Sequence, residues 1–135
     1  MRLATTQDIP ALIVMGRKFH EQAGLPFGFD DEAVSALLDR MIESEDATVI
    51  VTDRGLIGGM LNAAYCDPSW VMAIELFWWA EGDGLSLLRA FEDWARQRGA
   101  NEVRMTSIAE LSRADTILRR KGYQPTEISY MKVLP

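Results

Sequence analysis

Apolar residues in the first third of the chain recur at the three- and four-residue spacing of two amphipathic helices. The first helix is predicted to begin near Asp8 and to end near Gly24. The second begins after Asp30 or Asp31, either of which can cap it. Its apolar stripe consists of Val34, Leu37, Leu38, Met41 and Ile42. Ahead of both helices, residues 2–5 form a candidate short extended segment.

The middle of the chain changes to the β-branched and apolar composition of strands. Residues 48–52, 56–65 and 71–79 are predicted strands that follow one another directly. Asp53-Arg54-Gly55 joins the first two as a hairpin turn. The pair Gly58-Gly59 predicts a bulge or a close approach of another segment. Consecutive strands with short connections predict an antiparallel meander.

The last third alternates helices with strands. A helix after the glycine-rich loop should end at Gly99, with an apolar face made of Leu85, Leu88, Phe91, Trp94 and Ala95. A strand over residues 102–107, a helix over residues 112–121 and a final strand over residues 127–133 complete the chain. The order β-α-α-β-β-β-α-β-α-β predicts the α/β (α+β) class. It implies about four helices and a mixed, mostly antiparallel central sheet with one parallel strand pair.

Composition narrows the class of protein. The chain has 135 residues, so we expect a single domain over residues 1–135. Apolar residues make up 48% and charged residues 25%, which is typical of a folded globular protein. The net charge of -6 argues against nucleic acid as a partner, because such binding needs a basic surface.

The remaining composition signals concern metals and membranes. Cys66 is the only cysteine and His20 the only histidine, so neither a disulfide framework nor a metal site is predicted. No apolar run reaches the ~18 residues of a membrane helix. The N-terminus does not open with the apolar stretch of a signal peptide. We therefore expect a cytoplasmic protein.

A glycine-rich loop connects the third central strand to the helix that follows it. Gly82 and Gly84 flank Asp83 there, and glycines let a backbone come close to a ligand. A helix N-terminus presents free N–H groups, so the junction suits a phosphate or pyrophosphate. The alternative is an ordinary turn. The loop lacks the Lys of a Walker loop and the third glycine of a dinucleotide-binding fingerprint.

The order of the elements and several local sequences resemble the GNAT acyltransferase superfamily over nearly the whole chain. Residues 2–12 are similar to the family's opening strand and helix. Residues 82–92 are similar to its acyl-CoA loop and helix, and residues 113–123 to its late helix, which typically ends in Gly and an aromatic residue. The Trp78-Trp79 pair is similar to the end of the central strand in small GNAT proteins carried by bacteriophages.

The resemblance implies acetyl-CoA as the co-substrate and assigns its contacts. Backbone groups at the end of the fourth strand would bind the thioester and pantetheine, at Leu76, Phe77 and Trp78. Backbone amides of the loop and helix start would bind the pyrophosphate, at Gly82, Asp83, Gly84, Leu85 and Ser86. Trp79 stands at the cofactor-site position where the family's loop has Arg or Gln.

Acyl transfer to an amine needs a base for the amine proton, donors for the thioester oxygen and a proton for the leaving thiolate. Relatives often carry a carboxylate base on the fourth strand, and Glu75 is the only ionisable side chain in residues 71–79. Apolar surroundings would raise its pKa, which suits a base. The alternative is that Glu75 faces solvent or pairs with an Arg. Leu118 stands where the family has its tyrosine acid.

The acceptor pocket is predicted from loop placement. Phe27 and Phe29 in the loop between the first two helices, and Tyr65 at the end of a predicted strand, are its candidate residues. The negative net charge favours a cationic acceptor such as a primary amine, on a small molecule or a protein. Many relatives are dimers, which implies a homodimer. The alternative function is a non-catalytic interaction protein on the same fold, phage-encoded and directed at a host.

Overall fold

The computed structural model describes residues 1–108 and 112–135. Its five-stranded sheet is covered by the first two helices on one face and by the third helix on the other. The strands are β1 (Arg2–Leu3), β2 (Ala47–Thr52), β3 (Gly55–Ala64), β4 (Asp67–Ala80) and β5 (Glu102–Arg104). The helices are α1 (Ile9–Ala23), α2 (Asp31–Glu43), α3 (Gly84–Gln97) and α4 (Ser112–Arg120), and a 3-10 turn at Thr6–Asp8 precedes α1.

The strands lie in chain order across the sheet. Neighbouring strands are antiparallel from β1 to β4, whereas β4 and β5 are parallel. The predicted mixed α+β class, the central meander and the single parallel pair are therefore confirmed. The helix α3 forms the crossover between the two parallel strands.

The predicted last strand is wrong. Residues 127–133 form no strand, and their side chains are exposed. The strand before them is also shorter than predicted, because β5 ends at Arg104 instead of residue 107. A strand needs a neighbouring edge to pair with, and three residues of β5 offer too short an edge for this segment.

The ends of the first helices follow from local residues. Gly24 ends α1 in the left-handed conformation, with φ 61°, which glycine adopts without strain. The Asp30 side chain accepts a hydrogen bond from the amide of Ala33 at 3.0 Å and caps α2. These termini lie within a residue of the predicted ones and set the length of the loop between α1 and α2.

Two apolar layers hold the helices to the sheet. Under α1 and α2 the core includes Leu12, Leu38, Met41, Val49 and Val51. Under α3 it includes Ile50, Ile57, Leu87, Phe91 and Trp94. Residues 49–51 alternate between the two layers, as expected for a strand that is covered on both faces. Leu85, predicted on the apolar face of α3, is instead exposed, and Leu87 takes its place on the buried face beside Leu88.

A β-bulge interrupts the pairing of β3 with β4. Glu75 pairs with Gly59 and Phe77 pairs with Gly58, so Leu76 between them has no partner in the register. An extra residue of this kind bends the strand and reverses the alternation of its side chains. The bulge belongs to β4, opposite the glycine pair that predicted it.

The reversal decides where the tryptophans point. Ala73 before the bulge and Trp78 after it both pack in the layer under α3. Phe77 and Trp79 pack in the opposite layer, under α1 and α2. Without the inserted residue the two tryptophans would exchange faces.

We expect Gly59→Ala to destabilise the fold. A methyl group there would lie 2.3 Å from the Ile74 carbonyl oxygen and 2.7 Å from the Phe91 ring. Strand backbone cannot move aside without breaking the β3–β4 ladder, so the free energy of unfolding should fall by ~1–3 kcal/mol. Gly28→Ala is the control, because nothing lies within 4 Å of its added methyl group. Urea unfolding measures both, and equal stability of the two variants would contradict this packing.

Candidate functional site

The N-terminus of α3 carries backbone amides that the helix does not use. Asp83 precedes the helix, and its side chain makes no capping hydrogen bond. The first helical bond runs from the Leu87 amide to the Asp83 carbonyl oxygen, at 3.1 Å. Within the described part of the chain, no hydrogen bond uses the amides of Gly84, Leu85 and Ser86. These donors and the positive end of the helix dipole suit an anion.

The loop before α3 leaves space beside these amides. Gly82 has φ 114°, and no atom lies within 4 Å of the place where a Cβ would be. The Glu81 amide donates to the Arg54 carbonyl oxygen at 2.8 Å, which ties the loop to the β2–β3 turn. Residues 79–88 contain no Lys or Arg. The loop can therefore attract an anion through backbone N–H groups rather than through cationic side chains.

The two tryptophans at the end of β4 lie on opposite sides of the sheet. The Trp78 indole N–H donates to the Gly84 carbonyl oxygen at 3.2 Å, so its ring packs against the first turn of α3 without using the free amides. Trp79 is buried, and its indole N–H donates to Gln22 Oε1 at 3.0 Å. The Lys18 ammonium lies 5.6 Å from the Trp79 ring. The Trp79 side chain is thus turned away from the amides of α3.

The sheet opens between β4 and β5 just before this helix. Residues 72–74 pair with residues 102–104, and no pairing follows. The segment predicted to bind the thioester and pantetheine lies directly beyond the last pair, at Leu76, Phe77 and Trp78. Its backbone groups on the β5 side have no strand partner among the described residues. Such groups can bind an extended ligand in the manner of an added strand.

Two hydrogen bonds hold the other end of the β4–β5 pair together. The Val71 amide donates to the Asn101 side-chain oxygen at 2.8 Å, and the Asn101 amide donates to the Val71 carbonyl oxygen at 2.7 Å. These bonds hold the start of β5 against β4. The opening is therefore one-sided and lies toward the N-terminus of α3.

Glu75 lies at the start of this opening. It is 6% exposed. Its Oε2 accepts hydrogen bonds from the Thr106 amide at 3.0 Å and the Thr106 hydroxyl at 2.8 Å. Burial raises the pKa of Glu75, and the Thr106 bonds oppose that rise without cancelling it. Of the two alternatives, solvent exposure is excluded, and no ion pair with Glu75 occurs within residues 1–108 and 112–135.

The position of the family's acid holds a core residue. Leu118 is 7% exposed and has no proton to donate. The nearby Tyr123 hydroxyl donates to Glu92 Oε1 at 2.9 Å. Burial, together with Glu92, raises the pKa of Tyr123 well above its ordinary value, which makes it a poor proton donor. Tyr130 is exposed.

The predicted acceptor residues are only partly brought together. The His20 ring centre lies 5.9 Å from that of Phe27 and 5.7 Å from that of Phe29. His20 Nε2 lies 2.6 Å from the Phe27 carbonyl oxygen, within hydrogen-bond distance. The Arg17 guanidinium lies 5.0 Å from the Phe29 ring centre. This aromatic loop is at the same end of the sheet as α3's N-terminus, because the end of α1 bonds to Trp79.

Tyr65 does not join this cluster. It lies in the β3–β4 turn and is 100% exposed. The strand β4, from Asp67 to Ala80, lies between that turn and the aromatic loop. An extended strand of this length spans roughly 40 Å. The two aromatic sites were assigned from sequence order, which does not show that they lie at opposite ends of a hairpin.

A groove of about 630 Å³ lies between the C-terminal half of α3, residues 100–103 and residues 121–126, away from the free amides. It lacks an unused helix N-terminus. No group of His, Cys, Asp and Glu in residues 1–108 and 112–135 could hold a metal ion. No helix in those ranges is long and apolar enough to cross a membrane.

Sequence reasoning missed Thr106 and Asn101. Each acts across about thirty residues, Thr106 on Glu75 and Asn101 on Val71. Their residue types carried a weak signal, since Thr and Asn next to a strand often bond backbone or carboxylate groups. Only the folded arrangement shows which groups they reach.

Solved structures share this fold over nearly their whole length. One is the aminoglycoside acetyltransferase AAC(6')-Iy with the bisubstrate analogue CoA-S-monomethyl-acetylneamine, at TM-score 0.72 and 17% identity, covering 98% of this chain and 97% of that one. Another is a predicted acetyltransferase with acetyl-CoA from Clostridium acetobutylicum, at TM-score 0.76 and 13% identity, covering 98% and 94%. A ribosomal-protein-alanine N-acetyltransferase from Brucella melitensis biovar Abortus 2308 has TM-score 0.69 and 10% identity, covering 98% and 97%.

Neither a protein-family model nor a curated protein sequence matches the chain. The structural likeness nevertheless extends from the first strand to the C-terminal segment. The chain therefore has the fold of the GNAT acetyltransferases, as the resemblance in its sequence implied.

We expect Glu75→Gln to gain stability relative to the wild type as the pH rises. The folded chain holds the Glu75 proton to higher pH than the unfolded chain, whose carboxyl has its ordinary pKa of 4.5. The wild type therefore loses unfolding free energy as the pH rises through that value and on through the raised one. Glutamine has no charge to bury, and its carbonyl oxygen can still accept the Thr106 bonds.

Urea unfolding of both proteins at about pH 4 and pH 7 measures this effect. The stability of the variant minus that of the wild type should be higher at neutral pH than at about pH 4. A difference that does not change with pH would contradict a raised pKa of Glu75.

Proposed function

We propose that this chain is an N-acetyltransferase that moves an acetyl group from acetyl-CoA to a primary amine. One observation carries the proposal: three unused amides at the start of α3 lie next to the stretch of β4 that β5 has left. The unused amides suit a pyrophosphate, and the unpaired backbone of β4 suits the extended pantetheine arm. Related folds support the same ligand, because one of the solved structures named above is in complex with a CoA-containing bisubstrate analogue and another contains acetyl-CoA.

The coenzyme would be held almost entirely by backbone groups. The amides from Gly82 to Ser86 would bind the pyrophosphate, and backbone groups of Leu76, Phe77 and Trp78 would bind the pantetheine and thioester. Loop residues Glu81 and Asp83 are acidic, and Lys18 pairs with Glu81 at 3.5 Å. The ion pair offsets one of the two negative charges close to the proposed pyrophosphate position.

In the proposed reaction, Glu75 takes a proton from the substrate ammonium, directly or through a water. The neutral amine nitrogen then forms a bond to the acetyl carbon, and the bond between that carbon and sulfur breaks. The nitrogen releases its second proton to water, and Glu75 returns the first proton to solvent. The CoA thiolate takes up one proton from solvent, because the described residues near the site offer no suitable acid. The products are the acetylated amine and CoA.

The acceptor would enter beside the aromatic loop that carries Phe27 and Phe29. The amine acceptor, whether a small molecule or a protein, and a homodimeric assembly rest on the resemblance. A cytoplasmic location and a phage-encoded, host-directed role also remain predictions of the sequence.

A proline substitution tests the backbone amides separately from the side chains. Proline is tolerated in the first turn of a helix, so Leu85→Pro removes one N–H donor while far-UV circular dichroism checks that the helix is kept. Leu85→Ala is the matched control that keeps the amide. Losing a hydrogen bond to a charged group should weaken acetyl-CoA binding about tenfold in Leu85→Pro, and less than about threefold in Leu85→Ala.

Isothermal titration calorimetry with acetyl-CoA measures these constants. If the wild type shows no binding at millimolar acetyl-CoA, the proposed function is wrong. If both variants bind as the wild type does, the coenzyme lies elsewhere.

Glu75→Gln should separate binding from catalysis. Loss of a general base typically costs 10²–10⁴ in rate, so we expect kcat for a reactive amine to fall about 100-fold. The acetyl-CoA Kd should stay within about threefold, because Gln keeps the shape of the side chain. Release of the CoA thiol, followed with a thiol reagent, gives kcat. An unchanged kcat would remove Glu75 from the proposed reaction.

A second candidate is a non-catalytic protein on the same fold. Leu118 in place of an acid favours it, and so do the exposed apolar side chains of the C-terminal segment, which are Ile128, Tyr130, Met131, Val133 and Leu134. Such a surface is typical of protein contact. Binding of acetyl-CoA without turnover of any amine would support this candidate over the enzyme.

A further inference from the structure

Thr106 lies where the chain leaves β5, and both of its donors point at one oxygen of Glu75. The amide and the hydroxyl reach Oε2 at 3.0 Å and 2.8 Å. The other oxygen, Oε1, has no hydrogen-bond partner within residues 1–108 and 112–135. The two carboxylate oxygens therefore have different surroundings.

We propose that Thr106 is the positioning residue of Glu75, which fixes Oε2 and leaves Oε1 as the oxygen that takes the amine proton. The role of Glu75 as a base rests on the proposed function. The contact between Thr106 and Glu75 is a feature of the fold and does not depend on it.

The geometry of the sheet explains why Thr106 can do this. After Arg104 the backbone has left the β4 ladder, so the Thr106 amide lacks a carbonyl partner on β4. The Glu75 carboxylate accepts that amide instead. The bond between the Thr106 amide and Glu75 therefore has two effects. It satisfies a backbone donor that has no strand partner, and it orients the carboxylate beside the opening between β4 and β5.

Three charged side chains on the neighbouring elements, Glu92, Glu102 and Arg104, bond to groups other than Glu75. On β5, Arg104 pairs with Glu102 at 2.8 Å and with Glu127 at 3.5 Å. On α3, Glu92 accepts the Tyr123 hydroxyl. Opposite Glu75 on β3 stands Gly59, which has no side chain. Burial raises the pKa of Glu75 and the Thr106 bonds lower it, and among residues 1–108 and 112–135 no charged side chain contributes to the shift.

The hydroxyl and the amide of Thr106 can be separated by substitution. Thr106→Val keeps the shape and the amide but removes the hydroxyl donor. Thr106→Ser restores that donor. Thr106 is exposed, so neither change disturbs the core. Ser107→Ala is the matched control, because it removes an exposed hydroxyl next door that makes no bond to Glu75.

Two independent measurements report the pKa of the Glu75 carboxyl group. Carbon-13 NMR of the Glu75 side-chain carboxyl gives its pKa without any need for activity. The dependence of kcat/KM for acetyl transfer on pH gives the pKa of the base in the free enzyme. Because the hydroxyl stabilises the charged carboxylate, Thr106→Val should raise both values by about one pH unit.

In the wild type, kcat/KM should rise with pH as Glu75 loses its proton. In Thr106→Val this rise should occur at higher pH, so that kcat/KM at a pH well below the rise falls about tenfold. Rates on the plateau should agree within about twofold. Thr106→Ser and Ser107→Ala should follow the wild type. A lower rate at every pH with the rise at an unchanged pH would show a merely structural role and overturn the proposal.

The NMR readout distinguishes this proposal from the proposed function. If no amine is acetylated but the pKa of Glu75 rises in Thr106→Val, the control of Glu75 by Thr106 stands and the function fails. If amines are acetylated and neither readout moves, the function stands and Thr106 is not the positioning residue. An unmoved NMR pKa overturns the proposal whether or not activity is found.

Discussion

The parting of β4 and β5 is the constraint on which the candidate site depends. At one end the strands are held together by three register pairs and by the bonds between Asn101 and Val71. At the other end they separate, because β4 has a bulge at Leu76 and the chain leaves β5 after Arg104. A longer ladder would satisfy the backbone of β4 and leave no room for a ligand between the strands. Because the ladder stops, the Thr106 amide bonds to the Glu75 carboxylate, and a buried charge becomes tolerable next to the opening.

The electrostatics of the site depend on backbone dipoles more than on side chains. The chain carries a net charge of -6, and residues 79–88 contain no cation. An anion at the start of α3 would be attracted by unused N–H groups and by the helix dipole, both of which are set by helix geometry. Backbone contacts place few demands on residue types. This explains physically how the fold can match solved structures at 17% identity or less while no family model matches the sequence.

The sequence predicted elements well where the hydrophobic period and the end signals agreed, as for α1 with Gly24 at its end and for the central meander. It failed for residues 127–133, because the edge strand β5 has only three residues and is too short for this segment to pair with. Glu75 could be singled out because it is the only ionisable side chain in the apolar residues 71–79. Its partner could not, because Thr106 is 31 residues away and meets it only after β5 has left the ladder. The separation of Tyr65 from the aromatic loop by the length of β4 could not be foreseen, because residue order does not show which end of a hairpin faces which loop.

Amide NMR of nitrogen-15-labelled protein titrated with acetyl-CoA tests the central claim most directly, because it reports on the backbone groups themselves. The account predicts that the largest shift changes fall on the amides from Gly82 to Ser86 and on those just past the bulge in β4, with little change in the β3–β4 turn. Changes concentrated in the groove between α3 and residues 121–126, or no saturable change at all, would contradict it.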